Sequence, residues 1–288
     1  GSVHEHELAR FCKHVTTVVE LQTRTNEVIL GTTEGFARYD LDARVFEPHP
    51  CNPIHVPTEG GRIEPRMNDG KCDPFGRLWC GSLVRDLSNN DLVDRAANLW
   101  VLESGWSKDQ PPVKVRAGVT CSNGIAWHGN TMYYTDSPTF CIEAFAFDSE
   151  QRADSVADSM AETRKKGCIR VSDSYPPVPD GCVVDSHGFV WSAMFGAGCV
   201  RRYDPSSGEC VAEIRLPEEA GMQCTACAWG GPELDDLYIT SAHEFWTEEE
   251  KQLYPLAGKL FVASGAEIAE LCGGGAVNGV AQNAYAIM

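Results

Sequence analysis

Positive charge is scarce. Lysine and arginine total 24 against 41 aspartate and glutamate, a net charge of −17. Nucleic acid and anionic membrane surfaces are bound through a basic footprint, so neither is an expected partner. Long apolar runs are missing as well. No stretch is long enough to span a bilayer, and the N-terminus lacks the apolar region of a signal peptide. No Asn-x-Ser/Thr sequon occurs. Thiols are plentiful, 13 of them, but pairs are not. Cys224-x-x-Cys227 is the lone CxxC, with no second pair at zinc-ribbon spacing and no βαβ context. The odd count, and the apolar runs that hold Cys72, Cys80, Cys141, Cys182 and Cys199, predict small buried hydrophobes in a reducing compartment. A cytoplasmic protein is therefore expected. There is no Gly-x-Ser-x-Gly elbow and no signature around a cysteine, so a serine or cysteine hydrolase lacks its motif.

What is present is a recurring β pattern. The chain has 288 residues, 43% hydrophobic and 23% charged, the composition of a globular protein with a substantial core. Residues 1–13 read as a tail, its Gly1-Ser2 a cloning remnant; His4-x-His6 within it matches metal spacing but sits in a segment of mixed composition. From residue 14 a single domain is predicted. Val15–Leu21, Val28–Leu30 and Gly35–Asp40 are β-rich runs separated by turn residues, with the first turn expected near Thr25-Asn26. The sequence "apolar run, turn, aromatic-bearing run" returns near Asn26, Gly76, Gly129, Gly188 and Gly231, at spacings of 50, 53, 59 and 43 residues. Four short strands fit that period, as in a β-propeller blade. A few helical residues near Asp154–Lys166 read as a loop insertion. Trp79, Trp127, Trp191 and Trp229 recur with the blade period and read as core between blades.

Three of the five units carry a polar residue before glycine at the entrance to a strand: Asn68-Asp69-Gly70, Asn123-Gly124 and Asp180-Gly181. Each alone is a common turn dipeptide. At one register of a propeller, such residues would converge from different blades, as a metal site requires. An asparagine amide oxygen is a hard neutral donor suited to Ca²⁺, Mg²⁺ or Mn²⁺.

The stretches Arg66-Met-Asn-Asp-Gly-Lys71-Cys-Asp-Pro-Phe-Gly76, Ser122-Asn-Gly-Ile-Ala-Trp127, Tyr133-Tyr-Thr-Asp-Ser137, Pro179-Asp-Gly181 with Asp185, and Trp229–Pro232 through Leu237–Thr240 resemble the regucalcin/gluconolactonase family, which includes luciferin-regenerating enzymes. The resemblance runs from about Val15 to the C-terminus. It implies a six-bladed propeller, with five to six blades here and the first incomplete, and one divalent cation (Ca, Zn, Mg or Mn). By that resemblance Asn123 and Asp180 match metal ligands, and Arg66 and Asn68 match positions that contact substrate. Asp86 stands where the family often has a glutamate for substrate, in the less usual setting Val84-Arg85-Asp86. The family's remaining ligand, a glutamate in a Gly-Glu-x-Pro segment, has no counterpart, so the chain reads as shortened by most of a blade. Glu5, Glu7, His4 and His6 are the available stand-ins. The expected activity is hydrolysis of a sugar lactone by metal-activated water, with Asp180 as ligand and general base; phosphotriester hydrolysis is a variant. The alternative is a calcium-binding regulatory or scaffold propeller with a degraded site.

Overall fold

The computed structural model describes residue 8 and residues 11–54, 62–103, 106–148, 158 and 160–286. His4, Glu5, His6 and Glu7, and the start of the insertion expected near Asp154, lie outside the described residues. Two compact units divide the chain.

The first unit holds residues 1–122, 148–162 and 282–288. Its first antiparallel sheet is β1 (Val15–Leu21), β2 (Arg24–Thr32), β3 (Gly35–Asp40) and β4 (Val45–Pro48), in that order. Its second is β5 (Ile63–Cys72), β6 (Leu78–Asp86), β7 (Ala97–Leu102) and β8 (Val113–Val119). The second unit holds residues 123–147 and 163–281. It contains β9 (Ser122–His128, starting at the unit boundary), β10 (Thr131–Asp136), β11 (Cys141–Ala146) and β12 (Lys165–Arg170); then β13 (Val178–Val184), β14 (Val190–Phe195), β15 (Cys199–Tyr203) and β16 (Cys210–Arg215); then β17 (Cys224–Gly230), β18 (Asp236–Ser241) and β19 (Leu260–Ala263). Helix α1 (Glu248–Leu253) lies between β18 and β19, and α2 (Gly265–Leu271) follows β19.

Among the described residues the architecture is all-β, five sheets each made of consecutive strands. The sheet expected to be incomplete, the first, has four strands, and the last has three. The first turn falls at residues 22–23, with Thr25 and Asn26 already inside β2. The helical residues expected before Lys166 are, among those described, a 3₁₀ position at Asp158 and a 3₁₀ turn at Glu162–Arg164 running into β12.

One turn recurs at two of the five positions. Asp73-x-x-Gly76-x-x-Trp79 and Asp185-x-x-Gly188-x-x-Trp191 build the same structure. In each, one aspartate oxygen accepts two backbone N–H groups, from Phe75 (2.9 Å) and Arg77 (3.0 Å) in one turn, and from His187 and Phe189 (both 3.0 Å) in the other. The other oxygen accepts the tryptophan Nε1–H at 2.9 Å in both, plus Arg77 Nε (2.6 Å) or Arg202 Nε (2.9 Å). Gly76 and Gly188 take φ of +78° and +85°, a left-handed conformation that glycine adopts without a Cβ clash. Trp79 and Trp191 are fully buried, and Trp127 and Trp229 nearly so, as the blade-period reading expects. Trp191 meets Trp229 edge to face at 5.6 Å. Cys72, Cys80, Cys182 and Cys199 are buried as expected, but Cys141 is only half-buried, because it starts β11 at the sheet end.

Candidate functional site

The polar-Gly dipeptides are not turns. Asn68-Asp69-Gly70 lies within β5, Asn123-Gly124 within β9 and Asp180-Gly181 within β13. Bulges interrupt the pairing at two of them, between Met67 and Gly70 and between Pro179 and Cys182. The first strands of the first and last sheets carry the same irregularity, between Val15 and Thr17 and between Cys224 and Ala226. A bulge leaves a residue out of the ladder and re-aims its side chain, which is how such positions come to carry function.

The glycines serve close packing. A Cβ on Gly124 would stand 2.6 Å from the Asp180 carbonyl oxygen, and one on Gly181 2.8 Å from Ala226 Cβ. Their absence lets β9, β13 and β17 approach one another in the second unit.

In that unit Asn123 is 7% exposed. Its Nδ2 donates to Ser137 Oγ (2.7 Å), and Ser137 Oγ donates to the Pro179 carbonyl (2.6 Å). Ser137 thus ties Asn123 to the residue before Asp180. With the amide nitrogen engaged, any ligand role of Asn123 falls to Oδ1. Asp180 is half-buried, and its charge helps to raise the thiol of Cys224, mainly raised by burial, to about 12. Cys72, Cys80 and Cys199 are likewise pushed up to about 12, first by burial. Such thiols stay protonated at neutral pH and make poor nucleophiles.

In the first unit Arg66 Nη1 donates to Asn68 Oδ1 (2.6 Å) and to the Met67 carbonyl (3.2 Å). Asn68 Nδ2 donates to the Ser122 carbonyl (2.7 Å), and the Asn68 carbonyl accepts from Thr17 Oγ1 (2.6 Å). Arg66 and Asn68 are therefore one preset hydrogen-bonded pair. Asp69 beside them accepts from the Gly70 N–H (2.7 Å), and burial raises its carboxyl, an effect that Lys71 opposes. Asp86 is placed differently. It faces Ile63 across the ladder, three residues from Arg66, or about 10 Å of strand. Its Oδ1 accepts from Ser88 N (2.9 Å) and Ser88 Oγ (2.7 Å), which lowers its pKa. The geometry pairs Arg66 with Asn68 in one unit and Asn123 with Asp180's strand in the other, and it assigns the Asp86 carboxylate to a turn.

For a cation, the donors that these motifs offer are one amide and one carboxylate. Among the described residues no group of three or more His, Cys, Asp or Glu side chains could hold a metal ion. An amide and a carboxylate oxygen are donor types that suit a hard cation better than zinc, which favours nitrogen and sulfur. Sequence reasoning left out Ser137 and Asp69 as site residues. Ser137 had a signal, its place in the Tyr133–Ser137 stretch.

No helix among the described residues is long and apolar enough to cross a membrane. Comparison with known proteins adds the family. Residues 2–243 match the model of the SMP-30/Gluconolactonase/LRE-like region. The Bacillus subtilis protein named "Putative sugar lactone lactonase YvrE" is 34% identical over 262 residues, 90% of this chain and 80% of that protein. Zebrafish (Danio rerio) regucalcin is 35% identical over 202 residues, 69% of this chain and 62% of that protein, so the match spans less than two thirds of its length. Among solved structures, a calcium-binding regucalcin from Agrobacterium tumefaciens superposes with a TM-score of 0.71 at 20% identity, covering 94% of this chain and 79% of that one. A luciferin-regenerating enzyme gives 0.68 at 21% identity, covering 96% and 84%. These likenesses show the fold to be a β-propeller, and the sequence matches carry the relationship further: the chain belongs to the SMP-30/gluconolactonase/LRE-like family.

Proposed function

We propose that the protein is a hydrolase that opens a lactone, with a divalent cation held by Asn123 and Asp180. The observation that carries this reading is the Asn123–Ser137–Pro179 chain of hydrogen bonds, which holds an amide beside the Asp180 strand at a bulge. Family membership and the name of the Bacillus relative support a sugar lactone as the substrate class.

The chain's own residues would act as follows. Asp180 is the ligand and general base, taking a proton from water as that water adds to the lactone carbonyl carbon. The ring C–O bond then breaks, and the departing oxygen leaves as a hydroxyl, with the proton count closed by the base. Asn123 supplies a neutral oxygen whose direction Ser137 fixes. Arg66, fixed by Asn68, is the donor group for substrate oxygens, since a planar guanidinium presents several N–H groups in a set geometry. A cation at Asn123 and Asp180 supplies, when bound, Lewis acidity and a lowered pKa for water. No covalent intermediate is required, in keeping with the raised, protonated thiols.

The test is opening of glucono-1,5-lactone, followed as acid release at constant pH, in protein stripped by a chelator and then titrated with Ca²⁺, Mn²⁺ or Zn²⁺. Hydrolysis should vanish on stripping and return with added cation. Turnover indifferent to chelation would refute the metal reading, and no turnover with any cation would favour a calcium-binding protein without hydrolase activity.

A further inference from the structure

The connection from the second to the third strand is short in the third and fourth sheets, residues 137–140 and 196–198, and long in the fifth, residues 242–259. The long segment folds back onto the stretch that precedes β17. Ala242 N donates to the Gln223 carbonyl (2.8 Å), and Leu256 N to the Glu219 carbonyl (3.0 Å). The Gln223 side chain accepts from Glu244 N (2.7 Å) and donates to the Glu244 carbonyl (3.1 Å). The Trp246 ring lies on Gly221, where a Cβ would come within 2.3 Å of it. From there the contacts continue toward Asp180. Gly196 N and Gly198 N both donate to the Met222 carbonyl (2.8 and 3.1 Å), Gln223 bridges Phe195, and Phe195 pairs with Val178, two residues before Asp180. Pro176 packs on Gly196, where a Cβ would lie 2.5 Å from the proline Cβ. All of this lies within the second unit.

The result is one continuous lip beside the end of β13 that carries Asp180. Tyr175 (67% exposed), Met222 (51%) and Phe245 (58%) stand out along it, and Leu253 and Leu256 are exposed further along the same segment. A single exposed apolar residue needs no explanation, but several on one connected surface mark a binding region. Phe245 also has φ of +62°, a left-handed backbone that an aromatic residue rarely adopts. The backbone around it is fixed by Gln223 on one side and by the buried face of Trp246 on the other.

We propose that this lip binds an apolar substituent, an alkyl or aryl group carried on the lactone ring, while the ring is opened at Asp180. The inference rests on the lactonase reading and adds to it a preference for lactones whose ring carries an apolar arm. The arm leaves water for the side chains of Tyr175, Met222 and Phe245. Glu248, Glu249 and Glu250, in the exposed first turn of α1, put negative charge beside the lip and disfavour an anionic arm.

The experiment compares kcat/KM for δ-valerolactone and for δ-decalactone, the same ring with an alkyl chain, in the cation-loaded protein. Wild type should favour δ-decalactone by about tenfold or more, the scale of burying a few methylenes. Phe245→Ala and Met222→Ala, checked for a wild-type melting transition, should each pull that ratio toward one. A wild-type ratio near one, with hydrolysis still lost in Asp180→Asn, overturns the lip and leaves the hydrolase reading standing. A strong preference that both variants retain also overturns it. Absence of hydrolysis of both lactones overturns the hydrolase reading, and the lip with it.

Discussion

β5 and β13 each carry an aspartate at a bulge within the strand and are followed by a second aspartate just past the strand end, and the two are treated oppositely. Past the strand end, Asp73 and Asp185 are fully buried, and each accepts four hydrogen bonds, two from backbone, one from tryptophan and one from arginine. At the bulges, Asp69 accepts from the Gly70 N–H and has a carboxyl raised by burial, while Asp180 stays half-buried. The carboxylates past the strand end are saturated by the fold and hold it together. The other two sit where the ladder is broken, and the proposed function gives Asp180 the chemistry. Charge and residue type are the same in both places; what differs is exposure, full burial past the strand end against partial burial at the bulge.

That contrast can be broken by mutation. The largest effect should fall on activity: Asp180→Asn keeps the size and one oxygen, loses the base, and should cost about 10²-fold or more in lactone opening, read in the acid-release assay. The largest effect on stability should come from the other pair. Asp185→Ala leaves Arg202 buried without its carboxylate and should cost about 3–5 kcal/mol, measured by urea denaturation. Ser137→Ala is intermediate. It frees the Asn123 amide without removing a ligand, so cation affinity should fall about tenfold or more while the rate at saturating cation largely recovers.

Asp69 gives a smaller, pH-dependent effect. Its carboxyl is raised above the ordinary value of 3.8, so the folded state resists ionisation that the unfolded chain accepts. The fold feels no penalty below that ordinary value, loses stability as pH climbs toward the raised one, and is level above it. Asp69→Asn, neutral throughout, should therefore stabilise the protein at neutral pH and have little effect in acid. Equal effects at both pH values would contradict the burial account. The smallest change is expected of Asp86→Ala. Its carboxylate serves an exposed turn through Ser88, so the melting temperature and the KM for lactone should stay close to wild type.

Much of this arrangement is legible in sequence because it follows from local rules. Gly76 and Gly188 mark turns that require positive φ, and Trp79 and Trp191 follow at fixed offset because the aspartate reaches their ring nitrogen. The polar-Gly recurrence is legible too, but its meaning is not. Asn-Gly and Asp-Gly suggest turns by composition, whereas here glycine is needed for room between strands, which depends on a neighbouring carbonyl at Asp180 or a methyl at Ala226. Bulges depend on register, and register is a property of two strands. Ser137 joins Asn123 to Pro179 across sequence separations of 14 and 42 residues, so its place in the Tyr133–Ser137 stretch marks it without revealing what it holds. For Asp86 the resemblance suggests a substrate contact, and the structure adds that Ser88, two residues later, donates to its Oδ1.

The most direct test of the contrast between the two aspartate positions measures lactone opening and the thermal melting midpoint side by side on wild type, Asp180→Asn and Asp185→Asn. The account predicts that Asp180→Asn melts like wild type and is nearly inactive at every cation concentration, whereas Asp185→Asn melts markedly lower and retains turnover in its folded fraction. An active Asp180→Asn, or one whose activity falls only in step with its melting midpoint, would contradict it.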